Sequence, residues 1–118
     1  MSNVTDAATA LKNAIDELVE LKATTDPTTG IHPPVAVIGP PVLTWGPDFV
    51  EPMSAEFTVM VIVSNRAYDV EKLWDLVQLV AAKVDEVENA VVIRAMPFVF
   101  RSGSSELPAY AVTVEMEL

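Results

Sequence analysis

The chain has 118 residues, of which 51% are hydrophobic, and a formal net charge of −10 at pH 7. This length and apolar content exclude intrinsic disorder and predict one domain over residues 1–118 with a single core. The acidic balance excludes a general affinity for phosphate backbones, and the absence of cysteine excludes disulfides and zinc sites of the cysteine type.

The first part of the chain, from Met1 to Leu18, lacks both the basic start and the apolar run of a signal peptide. The sequence also contains no stretch of about 18 apolar residues, which a membrane-spanning helix needs. We therefore expect a cytoplasmic protein without a membrane partner.

The first predicted helix covers residues 4–22, where apolar side chains recur at the spacing of one helical face. Thr5 is its expected cap. The opposite face is rich in Asp and Glu, which indicates a helix that lies on a core with an acidic side toward water. The apolar face consists of Val4, Ala7, Ala8, Leu11, Ala14, Ile15, Leu18, Val19 and Leu21.

The segment Thr24–Ser54 holds seven of the nine prolines, which excludes long regular elements there. Within it, Val35–Ile38 and Val42–Trp45 are predicted as short strands, because each is a run of mainly β-branched and aromatic residues. The sequence Gly39-Pro40-Pro41 between them predicts a turn or a change of direction.

Three longer strands are predicted after this segment. Ala55–Val63 is apolar on both faces, which is typical of a central strand covered on both sides. Val91–Phe100 and Ala109–Leu118 are predicted to form a hairpin joined by a mobile loop over Arg101–Glu106, and Pro97 indicates an edge position or a bulge. In the last strand the residues predicted to face inward are Tyr110, Val112, Val114, Met116 and Leu118.

The second predicted helix covers residues 70–88, with Asp69 as its N-cap. Leu79 falls on the opposite side of this helix from the apolar stripe, and Leu76 falls at the edge of the stripe. The predicted core stripe is Val70, Leu73, Trp74, Val77, Val80, Ala81, Val84 and Val87. The order of all elements predicts an α+β fold, in which two helices pack on one face of a mainly antiparallel sheet.

The residues that usually carry chemistry do not form a recognisable site. His32 is the only histidine, so one chain cannot supply a histidine pair, and the glycines form no phosphate-binding loop. The serines around Gly103 lack the surroundings of a nucleophile elbow. We therefore predict no catalytic, cofactor-binding or metal-binding residues, no cofactor, and no enzymatic activity.

Two acidic groups have alternative interpretations. Glu115 and Glu117 lie on one face of the last strand, within the range of a glycosidase pair, but alternate glutamates more often form the wet face of a strand. Asp85, Glu86 and Glu88 end the second helix, where negative charge opposes the helix dipole. This acidic end is interpreted either as solvated or as a contact for a partner or a cation.

The segment IHPPVAVIGPPVLTW, residues 31–45, and the order of elements resemble the tail terminator proteins of long-tailed bacteriophages, particularly those of phages of actinobacteria. The shared pattern in that family is PPxxVxGPPxL, which residues 33–43 match. The resemblance implies a structural protein that forms a hexameric ring on the last ring of the tail tube. Such a ring stops tube polymerisation and joins the tail to the DNA-filled head.

The resemblance also implies a set of partners and a location. The partners are further copies of the chain, the tail-tube protein and a head-tail connector protein, and DNA would pass through the ring without specific binding. The location is the head-tail junction of the virion, with the host cytoplasm during assembly. A domain of this size has a radius of gyration of roughly 13–14 Å, so only a ring of copies could surround a duplex.

Five apolar residues are the candidates for the contact between subunits. Trp45, Phe49, Val50 and Met53 lie in the proline-rich segment, and they either form an interface or cover the end of the sheet. Leu79 is either an interface residue or an ordinary surface leucine. Two other classes of function stay open: another phage connector, such as a head-completion or tail-tube protein, and a small cytoplasmic α+β binding module or ring-forming enzyme.

Overall fold

The computed structural model describes residues 3–26, 32–64 and 69–118. In these described residues, two helices and six strands form an α+β fold, as the sequence predicts. The elements are α1 (Asn3–Asp16), β1 (Lys22–Thr24), β2 (Val35–Ile38), β3 (Val42–Thr44), β4 (Ser54–Ile62), α2 (Asp69–Asp85), β5 (Ala90–Ser102) and β6 (Ser105–Glu117).

The six strands form one sheet in the order β1-β2-β4-β6-β5, and β3 pairs with β4 beyond the end of β2. All pairings are antiparallel except that of β1 with β2, so the sheet is mainly antiparallel and β4 is central, as predicted. Strand β1 is not predicted from the sequence. Its residue Ala23 lies beside Ala36 and is buried in the core.

Both helices pack on one face of the sheet, which we call the helix-covered face. Their buried side chains meet those of β4 and β6 in one cluster, in which Phe57 is the largest fully buried residue. The α1 residues Leu11 and Ile15 and the α2 residues Leu73 and Val80 belong to this cluster. The predicted placement of both helices on one face is therefore confirmed.

Helix α1 is shorter than the predicted helix over 4–22, and Thr5 lies inside it rather than at its cap. The helix ends at Asp16, where the side-chain carboxylate accepts a hydrogen bond of 2.8 Å from the backbone N–H of Ala23. The chain then turns toward β1. Leu21 is buried as predicted, whereas Val19 is 94% exposed, so its predicted core position is wrong.

The carboxylate of Asp16 joins the end of α1 to β1. Burial alone would raise its pKa, but hydrogen bonds from the Lys12 ammonium and the Ala23 N–H, together with the charges of Lys12 and Lys22, lower the pKa below the ordinary value of 3.8. The Lys12 Nζ lies 2.7 Å from Asp16 Oδ2. The ionised form therefore stabilises this corner of the fold.

Helix α2 ends at Asp85, three residues before the predicted end, and its buried face differs from the predicted stripe. Leu76 is fully buried rather than at the edge, whereas Trp74 is 50% exposed and Val70 is 37% exposed. The error arises because apolar residues surround most of this helix, so its sequence fits two rotations about the axis. The buried residues are Leu73, Leu76, Val77, Val80 and Val84.

The β5–β6 hairpin is longer than predicted, and the predicted loop over Arg101–Glu106 is wrong. Arg101 pairs with Glu106, and Ser102 pairs with Ser105, so only Gly103 and Ser104 form the turn. Gly103 has a φ of 61°, which glycine adopts without strain. Residues 100–107 extend past the end of β4, and we call them the hairpin arm.

Strand β5 is an edge strand, which confirms one of the two interpretations of Pro97. The bulge lies elsewhere, between Val92 and Arg94, where Ile93 is the extra residue. Val92 therefore lies opposite Val114, while Ala95 lies opposite Val112, so the residues on the helix-covered face change from even to odd numbers.

Neither of the helices found in residues 3–26, 32–64 and 69–118 lies on the other side of the sheet, which we call the helix-free face. Near the hairpin arm this face is apolar and contains a second buried cluster formed by Val35, Val37, Ile62 and Ala109. Near the other end it is exposed and polar, with Glu56 and Thr58 on β4 and Glu115 and Glu117 on β6. The prediction that both faces of β4 are covered therefore holds only for its second half.

Strand β6 follows its predicted alternation. Val112, Val114 and Met116 are buried on the helix-covered face, and Glu115 and Glu117 are exposed. Tyr110 and Leu118 are half-buried and pack against the same core.

Candidate interaction surfaces

Backbone hydrogen bonds fix the position of the loop between β3 and β4. The N–H of Met53 donates to the Thr44 carbonyl at 2.8 Å, and the N–H of Leu118 donates to the Met53 carbonyl at 3.0 Å. Within the loop, the indole Nε1–H of Trp45 donates to the carbonyl of Val50 at 3.3 Å. These bonds place the loop against the last residue of the chain.

This loop brings together four of the five residues predicted as a subunit interface. Trp45 is 51% exposed, Phe49 62%, Val50 94% and Met53 48%. A Cβ on Gly46 would lie 2.5 Å from the Phe49 ring and 3.2 Å from the Met53 sulfur, so the glycine allows both side chains to pack over it. We call the four side chains the loop patch. About half or more of each side chain remains in water.

Leu79, the fifth predicted interface residue, lies on a different surface. It is on α2 and is 40% exposed, which confirms its predicted position away from the buried stripe. Its role in an interface stays a prediction, as does that of the loop patch.

The structure reveals a second apolar surface, which includes Val70 and Trp74, two residues that were predicted to lie in the core stripe of α2. Val70 of α2 and Val99 of β5 line a groove together with Pro108. Trp74 lies one turn after Val70 on the same side of the helix. We call Val70, Trp74 and Val99 the flank patch, and all three are exposed.

The orientation of α2 places the flank patch beside the edge of the sheet. Lys83 is nine residues after Trp74 and hence half a turn around the helix from it. The ammonium of Lys83 lies 3.5 Å from the carboxylate of Glu17, just after α1, so the side of Trp74 faces away from α1 and toward β5. The charges of Glu86 and Glu17 raise the pKa of Lys83.

Acidic side chains surround a third surface, at the end of α2. A groove of about 680 Å³ lies between the turn that joins α2 to β5 and the helix-free face. Glu56 lies directly opposite Glu115 in the register of β4 and β6, so two like charges face each other beside this groove. We call this surface the acidic groove, and its main lining residues are Asp85, Glu86, Glu88, Val91, Glu115 and Glu117.

The remaining candidate groups are dispersed. His32 is exposed, and Glu115 and Glu117 face water. Within residues 3–26, 32–64 and 69–118, no three His, Asp or Glu side chains are grouped so that they could hold a metal ion. The helices in the described part of the chain are also too short or too polar to cross a membrane.

No protein-family model matches this chain, and no curated protein matches it significantly.

Proposed function

We propose that the protein is a structural ring subunit, a tail terminator that caps the tail tube of a long-tailed phage. The proposal combines the resemblance of residues 31–45 to that family with the surfaces of the fold. In this role the ring ends tube polymerisation and joins the tail to the DNA-filled head. It acts at the head-tail junction of the virion, after assembly in the host cytoplasm, and requires no catalytic group.

The observation that carries the proposal is the presence of two separate apolar patches with exposed tryptophans on one small domain. The loop patch lies where β4 begins, and the flank patch lies near the end of β4 and the hairpin arm. The length of β4, roughly 27 Å, separates the two ends. Two different patches allow a head-to-tail contact between copies, and such contacts form a ring when the rotation from one copy to the next closes.

The charge of the chain fits a channel for DNA. A net charge of −10 gives the inner surface of a ring no general attraction for phosphates, so a duplex can pass without being retained. The implied neighbours are the tail-tube protein on one side of the ring and a head-tail connector protein on the other.

A complementation experiment tests the head-to-tail contact. Trp45→Asp removes the loop patch and Trp74→Asp removes the flank patch, and Asn13→Asp, on the exposed side of α1, is the control with the same change in charge. A buried aromatic anchor contributes about 2 kcal/mol or more, so each tryptophan variant should stay monomeric in sedimentation velocity while the control forms rings.

An equimolar mixture of the two tryptophan variants is the decisive sample. Each mixed pair retains one intact loop patch facing one intact flank patch, so heterodimers should form and growth should stop there. Monomers in the mixture, or rings from either single variant, would overturn the head-to-tail contact. In phage, loss of the gene should give overlong tails that are not joined to heads, and normal attached tails would overturn the terminator role.

A further inference from the structure

The acidic groove lies beside an unpaired strand edge. Strand β5 is the last strand of the sheet, so within the described part of the chain no strand lies beside the outer edge of its first residues. Val91 is 56% exposed and Ile93 is 48% exposed at this edge. An exposed strand edge with β-branched side chains is a template for pairing with another extended chain.

The charges around this edge are negative on both sides of the sheet. Glu115 and Glu117 lie on the helix-free face, and Asp85, Glu86 and Glu88 lie in and after the end of α2. The nearest cation of α2, Lys83, is already shared between Glu86 and Glu17 at 3.4 and 3.5 Å. Arg94, which follows Ile93 on β5 and lies opposite Thr113, supplies one cation beside the groove. The groove therefore combines an apolar edge with five carboxylates, and among the described residues Glu86 alone of these five lies in an ion pair.

We propose that the acidic groove binds a basic extended segment of another protein, which adds as a strand to the edge of β5. Side chains of an added strand alternate between the two faces of the sheet. Lysine or arginine at successive positions would reach Glu115 and Glu117 on one face and the carboxylates at the end of α2 on the other. The apolar residues of the segment would contact Val91 and Ile93.

A second copy of this chain does not supply such a segment. The sequence nowhere places two Lys or Arg residues next to each other or two positions apart, and it contains only seven of them in all. Lys12, Lys83 and Arg101 already lie beside carboxylates of their own chain. Nucleic acids and anionic membranes carry the same sign of charge as the groove, so the occupant is a basic polypeptide. This inference does not depend on ring formation.

A binding measurement with matched variants tests the groove. The probe is a fluorescein-labelled ten-residue peptide with the repeat Lys-Lys-Val-Val, which places lysines and valines on both faces of a strand, and the control peptide has the repeat Glu-Glu-Val-Val. The groove variant is Glu115→Gln with Glu117→Gln. The matched control, Glu20→Gln with Glu71→Gln, removes the same charge from exposed positions outside the groove.

The groove variant should bind the lysine peptide about tenfold more weakly in fluorescence anisotropy, while the matched control should change the affinity less than about twofold. Val91→Lys, a change at an exposed edge position, should weaken binding at least as much as the groove variant. Amide NMR shifts caused by the peptide should centre on residues 90–93. Equal weakening in both double variants would show that only net charge matters and would overturn the proposal. Shifts centred on residues 45–53 would also overturn it, as would equal binding of the glutamate peptide.

Discussion

The two faces of the central strand pair differ in what lies over them. On the helix-covered face, Phe57 and its neighbours along β4 are buried beneath both helices. One residue away on the helix-free face, Glu56 and Thr58 are in water. The backbone pairing is the same on both faces, so the contrast shows that the packing of other elements, and not strand pairing, determines where the core forms.

The strongest test of this contrast replaces neighbouring residues on opposite faces. Phe57→Ala removes a fully buried aromatic ring and should lower the free energy of unfolding by about 3–5 kcal/mol. Thr58→Ala should lower it by less than about 1 kcal/mol, because the side chain is exposed. Urea denaturation measures both. Similar losses at the two positions would contradict the assignment of the faces.

A smaller effect on the free energy of unfolding is expected at Asp16, whose carboxylate joins the end of α1 to β1. Asp16→Asn should lower the free energy of unfolding by about 0.5–1 kcal/mol, because the ion pair with Lys12 is partly solvated. Since folding lowers the pKa of Asp16, the loss should be complete above pH 3.8 and should vanish as the pH falls through the lower folded pKa.

The control for this measurement is Asp75→Asn, which changes an exposed residue of α2. Urea denaturation of the three proteins between pH 2 and pH 7 separates a local effect from a general effect of charge. A difference between the wild type and Asp16→Asn that stays constant across this range would refute the role of the ionised carboxylate.

The smallest expected effect is a gain in stability on the helix-free face. Glu56→Thr removes the repulsion from Glu115 across the strands and introduces a good strand former, so it should add about 0.2–1 kcal/mol. The gain should shrink at high salt. Glu106→Thr is the matched control, because it removes an attraction to Arg101 at 3.8 Å and should add nothing. A loss of stability in Glu56→Thr would mean that this glutamate has a favourable contact.

The sequence predicts the elements in which one face is apolar and the other polar. In β6, the alternation of valines with glutamates specifies the buried face directly. In α2, Trp74 and Leu76 are both apolar on different sides of the helix, so periodicity does not reveal which one is buried.

The other differences between the predicted and the observed elements arise from contacts between separate parts of the chain, which the hydrophobic periodicity does not reveal. The end of α1 depends on a hydrogen bond between Asp16 and Ala23, seven residues later. The strands of the hairpin continue through polar residues because each pairs with a partner across the turn. Among the candidate surfaces, the residues of the loop patch were predicted individually, whereas the flank patch and the acidic groove depend on how α2 lies against β5.

The hairpin arm is a place where related sequences can vary in length without changing the rest of the sheet. Residues 100–107 pair only with one another across the two strands, so an insertion there does not disturb the pairing of β4 with β6. Adding one residue to each strand would reverse the faces of the arm, and adding two would restore them. Tolerated insertions should therefore come in multiples of four residues, each of which lengthens the arm by roughly 7 Å.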